Sequence, residues 1–238
     1  MIYIQKEQFD NIPHHFDCAS AMYGAIESGQ KYRLISYEDV IKGCYDNLID
    51  QHLFVGSVEF MNAVFNRKNI KNVRVPKNSN RISETITLKE AHKRVKNGET
   101  LFIKPFDIKL FTGLILDGCQ YSCLENLPED TKVMAYKPFE SVIKSEWRLY
   151  INRNNIIDSR NYSGDFKIPP NYEYALEIVK ENLNIFPDAY TIDIGILENG
   201  ENVVVEFNDM WAIGNYGMDN YEYLKLLKLR YFEIIRNK

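Results

Sequence analysis

The chain has 238 residues, 45% of them hydrophobic and 26% charged, with a formal net charge of −4. That length allows one large domain or two small ones, and the balance is that of a globular chain with no general attraction to nucleic acid or anionic lipid. No apolar run approaches the ~18 residues of a membrane span, and the opening MIYIQKEQFDNIPHH lacks a basic segment followed by a long apolar one, so a cytoplasmic location is expected.

In chain order, MIYIQ and YRLIS (Tyr32 to Ser36) read as short strands, with room for one short helix between them. SYEDVIKGCYDNLIDQ suggests a helix after Ser36, weakened by Gly43. SVEFMNAVFNRKN spaces Val58, Met61 and Phe65 near a helical period, with Ser57 as N-cap. Residues 1–75 thus read as a small α/β unit, and the polar, proline-containing VPKNSNRIS as the boundary after it. Thr87 and Glu90 then form a capping box that opens the helix LKEAHKRVKN, which stops at Gly98. TLFIKPF is a strand ended by Pro105, and EWRLYI and NIIDSRNY pair around NRNN. Asn171 caps YEYALEIVKENLN, and Asp219 caps the final helix NYEYLKLLKLRYFEIIRN. Tyr223, Leu226, Leu227 and Phe232 recur there at helical spacing and read as core packing. Hairpins rather than regular βαβ alternation after residue 100 favour an α+β fold. Cys18, Cys44, Cys119 and Cys123 show no zinc-ligand spacing and read as reduced thiols, and His14 and His15 as an exposed polar pair.

The segment TIDIGILENGENVVVEFND (Thr191 to Asp209) is a hairpin that carries acids in an apolar pattern. Asn199-Gly200 is the favoured dipeptide of a two-residue type I′ turn. Counting outwards from that turn sets Asp193 across from Glu206, with Asn208 on the same face. The other face then carries Ile192, Ile194 and Ile196 against Val203, Val205 and Phe207. Two carboxylates directly opposite each other repel, and a cation between them reverses the sign. Oxygen ligands of this kind suit Mg²⁺, with Mn²⁺ as a substitute. The ordinary reading is a solvated outer face.

A metal–phosphate site also needs fixed positive charge. Lys104 ends the strand LFIKP on the side of Phe102, and Lys109 follows in KLFTG. The segment from Phe106 to Gly113 has the length to fold over a phosphate chain, with Gly113 permitting close backbone approach. Arg148 lies on the aromatic strand SEWRLYI beside Glu146, and arginine binds phosphate or carboxylate bidentately. Arg160, in DSRNYSGD, is a second cationic candidate, whose ordinary reading is a cross-strand ion pair; with Asp158 it is also a candidate for binding an acceptor. Gly214 and Gly217, just beyond the acids, suit a turn that shapes a substrate pocket.

The ordered set FIKP, KLFTG, SEWRLYI, DIGI and VVEFND followed by GNYG resembles the ATP-grasp superfamily, and within it a small clade named for one arginine and two lysines. The resemblance spans roughly residues 54–235. It implies two α+β subdomains holding ATP between them, preceded by a small α/β domain matching residues 1–75, with the ATP-grasp domain over 76–238 and a subdomain junction near 135–145. By that resemblance Lys104 and Lys109 would contact ATP phosphates, Arg148 the transferred phosphate, and Asp193, Glu206 and Asn208 would hold Mg²⁺. AYKPFESVI, with Lys137, Glu140 and Val142, would line the adenine pocket. The chain departs from the superfamily in being short and in lacking a long glycine-rich phosphate loop.

The implied activity is ADP-forming ligation of a carboxylate to an amine through an acylphosphate, on an amino acid or a peptide. Two other readings use the same residues. One is a nucleotide-binding or protein-interaction module that does not ligate. The other is a metal-dependent phosphodiesterase, which would want more carboxylates or histidines and a basic track for nucleic acid.

Overall fold

The computed structural model describes residues 1–76, 83–106 and 110–237. Most of the junction VPKNSNRIS and Lys109 fall outside them. Two compact units emerge, one of Met1–Asn78 with Ile143–Lys238 and one of Ser79–Val142.

The first unit begins with β1 (Ile2–Gln5), α1 (Phe16–Glu27), β2 (Tyr32–Ile35), α2 (Tyr37–Ile41), β3 (Leu53–Val55) and α3 (Val58–Asn66). The strands form a parallel sheet in the order β2–β1–β3. The segment between β1 and β2 is a full helix of 12 residues whose N-cap is His15, its Nδ1 accepting from the Cys18 amide. Ser57 caps α3 as expected, accepting from the Phe60 amide at 3.2 Å. The helix expected after Ser36 is shorter than its apolar spacing suggests. It ends at Ile41 because Gly43 turns into the left-handed region, φ +79°.

The second unit contains β4 (Ser83–Thr87), α4 (Leu88–Lys96), β5 (Leu101–Pro105), β6 (Leu114–Leu116) and β7 (Lys132–Tyr136), with a sheet in the order β4–β7–β5–β6. Thr87 caps α4 by accepting from the Glu90 amide, and Gly98 stops it at φ +94°. Leu88, Ala91, Ile103, Val133 and Ala135 form its core.

The chain completes the first unit with β8 (Ile143–Asn152), β9 (Asn155–Gly164), α5 (Tyr172–Glu181), β10 (Ala189–Leu197), β11 (Asn202–Asp209) and α6 (Asn220–Arg236). These strands form an antiparallel sheet in the order β11–β10–β8–β9. One face buries Leu149, Ile151, Ile192 and Ile194 against Ala175, Ile178 and Val179 of α5. Along α6, Tyr223, Leu226, Leu227 and Tyr231 share a core with Phe54, Phe60 and Phe65 of the N-terminal segment, at ~1.5–3 kcal/mol for each large side chain buried. Tyr231 ties the two by donating its hydroxyl to the Ile49 carbonyl at 2.8 Å. No helix among the described residues is long and apolar enough to cross a membrane.

Candidate active site

The face of the antiparallel sheet opposite α5 carries the charged residues. Pairing aligns Glu206 on β11, Asp193 on β10, Arg148 on β8 and Arg160 on β9 in a single row across four strands. A parallel row holds Asn208, Thr191, Tyr150 and Asp158. Asp193 does stand across from Glu206, but the turn that sets this register is not the expected two-residue type I′. Leu197 and Glu201 close a three-residue loop in which only Gly200 is left-handed, φ +85°. A β-bulge between Asp193 and Ile194 then shifts the pairing back by one residue. Between bulge and turn the β11 side chains take the faces opposite to those expected, while Ile194 of β10 stays on the core face. Val204 joins the core with Ile194, while the side chains of Val203 and Val205 crowd Gly195 on the open face.

Arg148 is the centre of the row. Its Nε and Nη2 donate to Asp193 Oδ1 and Oδ2 at 2.8 and 2.7 Å, with Arg148 5% and Asp193 1% exposed. Tyr216 and Tyr162 stack on each other, ring centroids 5.1 Å apart, and the Arg148 guanidinium lies 4.9 and 5.6 Å from their centres. Tyr162 is the unpaired residue of a second bulge, between Glu146 and Trp147 of the β8–β9 ladder, and its hydroxyl donates to Glu146 Oε2 at 2.8 Å. Neither tyrosine was marked by the sequence, because the bulge that aims Tyr162 is invisible to alternation.

Asn208 Nδ2 donates to both Asp193 Oδ2 and Glu206 Oε1, each at 3.3 Å. The two carboxylates therefore converge on one point. Burial pushes the Asp193 carboxyl up to about 6 even though Arg148 holds it down, and Glu206 and Glu146 add to the push. At neutral pH it is ionised, as bidentate pairing requires. Arg160 does not enter this balance: both its contacts, at 3.0 and 2.8 Å, go to Asp158 two residues back on its own strand. The cross-strand ion pair considered for it is thus replaced by a same-strand one. Glu206 and Glu146 both lie near enough to Asp193 to raise it, so three carboxylates lie in this part of the sheet. Hard carboxylate and amide oxygens of this kind fit a divalent cation. Among the described residues no three His, Cys, Asp or Glu side chains gather as a metal-binding group. A cation here would draw on two acids, the Asn208 amide oxygen and ligands from outside the protein.

In the second unit, Ile103 is buried and the Lys104 ammonium lies 5.7 Å from the centre of the Phe102 ring, on the face expected for it. A Cβ on Gly113 would come within 2.7 Å of Phe102 and 3.0 Å of Lys104, so that glycine lets the backbone close on both side chains. Lys137 and Glu140 form an exposed ion pair at 4.0 Å, and Val142 is exposed. The four cysteines are free thiols, Cys18 buried and the others exposed.

The sequence matches an ATP-grasp domain, the second family of the clade named for one arginine and two lysines, over residues 80–226, more than half of the chain. The chain belongs to the ATP-grasp superfamily. The mixed sheets and helices have the ATP-grasp fold. Among solved structures, the chain is similar to the ATP-grasp ligase PsnB complexed with a phosphomimetic variant of its minimal precursor, Mg and ADP. Identity is 11%, coverage 97% of each chain and TM-score 0.52. It is also similar to the D-alanine–D-alanine ligase of Bacillus anthracis complexed with ATP, at 13% identity, 99% and 98% coverage and TM-score 0.55. The N5-carboxyaminoimidazole synthetase of Staphylococcus aureus complexed with ADP matches at 13% identity, covering 97% of this chain and 76% of its own, with TM-score 0.55. No curated protein matches the sequence. At these identities the ATP-grasp likeness bears on the fold.

Proposed function

We propose that the protein is an ATP- and Mg²⁺-dependent carboxylate–amine ligase that forms an amide through an acylphosphate and releases ADP. In this reading residues 1–75 are the region preceding the ATP-grasp domain, which spans 76–238 with its junction near 135–145. The observation that carries the proposal is the convergence of Asp193 and Glu206 on Asn208 beside a buried arginine. A bound Mg²⁺ would neutralise phosphate oxygens beside these acids, with Mn²⁺ as a substitute.

Each of the chain's own residues has a role in this reading. Asp193, Glu206 and Asn208 supply oxygen ligands. Asp193 also fixes the guanidinium of Arg148, whose charge stabilises the phosphoryl oxygens in flight and then the acylphosphate. Lys104 and Lys109 neutralise the nucleotide phosphates, and Lys137, Glu140 and Val142 contribute to adenine binding. Arg160, already bound to Asp158, is a candidate for orienting a substrate carboxylate. Phosphoryl transfer rests on such positioning and charge neutralisation, with little covalent chemistry from the protein. The carboxylate oxygen takes the γ-phosphoryl group and ADP leaves. The amine nitrogen then bonds to the acyl carbon, the bond from that carbon to the phosphate oxygen breaks, and the proton lost from nitrogen departs with the phosphate. The related structures hold a variant of a minimal precursor in one case and are named for joining D-alanine in another, and the latter supports an amino acid as one substrate.

Incubation with Mg-ATP and pooled amino acids and peptides should release ADP and yield a product heavier by one amide condensation. Glu206→Ala and Asn208→Ala should each abolish that ADP release while the melting temperature holds. Undiminished Mg²⁺-dependent ADP release in either variant would remove the metal site from the proposal.

A further inference from the structure

A planar guanidinium is satisfied by aromatic rings against its faces and acceptors along its edges. At Arg148 that enclosure stops short. Asp193 takes Nε and Nη2, and the rings of Tyr162 and Tyr216 lie against the group, but Nη1 has no acceptor among the described residues. Nor is Nη1 one of their buried unpaired side-chain atoms, which are Ser159 Oγ, Thr191 Oγ1 and Trp211 Nε1. The 6% of the side chain that solvent still reaches therefore includes Nη1.

Beside Nη1 a side chain is missing. A Cβ on Gly214 would lie 3.6 Å from Nη1 and 3.4 and 3.6 Å from Cζ and Cε2 of Tyr216, with nothing nearer. These are ordinary contact distances, so a gap of methyl size stands open between ring and nitrogen, and an anion oxygen entering it meets Nη1. The backbone around the gap is fixed at Asn215, which is buried. Its amide donates to Asp17 Oδ1 at 2.7 Å and its carbonyl accepts the Tyr150 hydroxyl at 2.7 Å. Its side chain donates to the Met218 carbonyl at 3.1 Å and accepts the Gly217 amide at 2.7 Å. Tyr216 follows at φ +48°, a left-handed conformation that a bulky residue holds only where its surroundings impose it. Core packing does not account for this, since Tyr216 is 47% exposed. The conformation instead lays the ring on Tyr162 beside Arg148. The two rings differ in anchorage: the Tyr162 hydroxyl is held by Glu146, whereas the Tyr216 hydroxyl has no partner among the described residues.

We propose that Gly214 and Tyr216 determine which oxyanion reaches Arg148. The gap at Gly214 admits an oxygen of a phosphoryl-sized group to Nη1, and the Tyr216 ring, backed by the anchored Tyr162, shuts out an anion with a bulky substituent next to its charge. This selectivity belongs to the folded chain and needs no turnover. Its use in catalysis rests on the ligase reading above, in which the admitted group is the phosphoryl group in transfer.

The test follows the Arg148 Nε–H signal by nuclear magnetic resonance in the full chain carrying isotope-labelled arginine, the signal being assigned by its loss in Arg148→Lys. Mg²⁺ is present so that the neighbouring acids do not repel the probes, which are inorganic phosphate, methylphosphonate and phenylphosphonate. Phosphate and methylphosphonate should shift the signal at millimolar concentration, and phenylphosphonate should bind about ten-fold more weakly or less. Gly214 is not in the left-handed region and its Cβ would clash with nothing, so Gly214→Ala should keep its melting temperature yet lose about ten-fold in affinity for phosphate. Tyr216→Phe keeps the ring and should match the wild type. Tyr216→Gly suits the φ of +48° and should bind phenylphosphonate as tightly as phosphate. If Gly214→Ala does not fold, the two Tyr216 variants decide alone. Phosphate binding unmoved by Gly214→Ala, equal binding of phosphate and phenylphosphonate by the wild type, phenylphosphonate still excluded by Tyr216→Gly, or no shift with any probe would overturn the proposal. The two readings fail separately. ADP release by Gly214→Ala at the wild-type rate sinks the port and spares the ligase. Size-selective phosphate binding that Tyr216→Gly abolishes, with no ADP release in any mixture, does the reverse.

Discussion

Two arginine–aspartate pairs lie within the same unit, alike in burial and in bidentate geometry and different in what surrounds them. Arg148 holds Asp193 through two bonds of 2.8 and 2.7 Å, and Arg230 of α6 holds Asp209 through two of 2.7 Å. Both arginines are buried, at 5% and 9% exposure. Arg230 also donates from Nη1 to Glu233 at 3.1 Å, and Glu233 in turn accepts the Asp188 amide, so this cluster pins α6 to the strands. Arg148 has aromatic rings over its guanidinium instead, and two further acids beside its partner that it does not touch. Burial and bidentate pairing therefore do not separate a scaffold contact from a site. What separates them is which other groups converge on the pair: two stacked tyrosines, two more acids and the Asn208 amide at Arg148 and Asp193, against one helix glutamate at Arg230 and Asp209.

The largest expected effect breaks the Arg148 pair. Arg148→Met should lower ATP-dependent ADP release on the order of 10²–10³-fold, the scale of losing one fixed charge at a transferring group. It should also cost about 3–5 kcal/mol of stability, because Asp193 is left buried without its counter-charge. The double variant Arg148→Met with Asp193→Leu should regain most of that stability in urea unfolding and none of the turnover. Recovery of activity along with stability would mean that Arg148 serves only the fold.

Next comes the matching change at the other pair. Arg230→Met should cost a similar ~3–5 kcal/mol by the same argument, yet leave kcat per folded molecule unchanged. A loss of kcat as deep as that of Arg148→Met, in protein shown to be folded by circular dichroism, would make the two pairs one functional network and end the contrast between them.

How much of this was legible in the sequence follows from the range of each interaction. Helix caps at Ser57, Thr87, Asn171 and Asp219 were readable because a cap is settled within three or four residues. The facing of Asp193 and Glu206 was read correctly for an incomplete reason. The loop adds one residue, the bulge removes the offset, and the two shifts cancel at that one pair. They do not cancel between turn and bulge, so Val203 and Val205 were assigned to the wrong face. Strands β4, β6 and β7 were not foreseen. Ser83 was read as the end of the junction, Glu84 to Ile86 were left without an element and Thr87 was read only as a cap, because the half-exposed SETIT pattern gains meaning only when paired with Lys132–Tyr136. The Arg148–Asp193 bond joins residues 45 apart, and the Asp17–Asn215 bond joins residues 198 apart. No local pattern encodes such contacts.

The smallest effect concerns the entrance to α1, beside the same loop that carries Gly214. Burial lowers the His15 imidazole below its usual 6.5, against the opposing pull of Asp17 and Glu7, with His14 adding to the lowering. Its Nδ1 caps the helix as an acceptor, and protonation would remove that acceptor. A depressed folded-state value means that the associated stability is present above 6.5 and is lost as pH falls through the folded-state value. Asparagine caps a helix without titrating. The unfolding free energies of the wild type and His15→Asn should therefore run parallel from neutral pH upward and diverge below about 6.5 in favour of the variant, by less than about 1 kcal/mol given the long 3.4 Å cap bond. Asp193 works in the opposite direction near 6, since a raised carboxyl gains stability as pH falls. It is common to both proteins and drops out of the difference. A difference that stays constant between about pH 5 and pH 8 would mean that the imidazole is not what holds the first turn of α1.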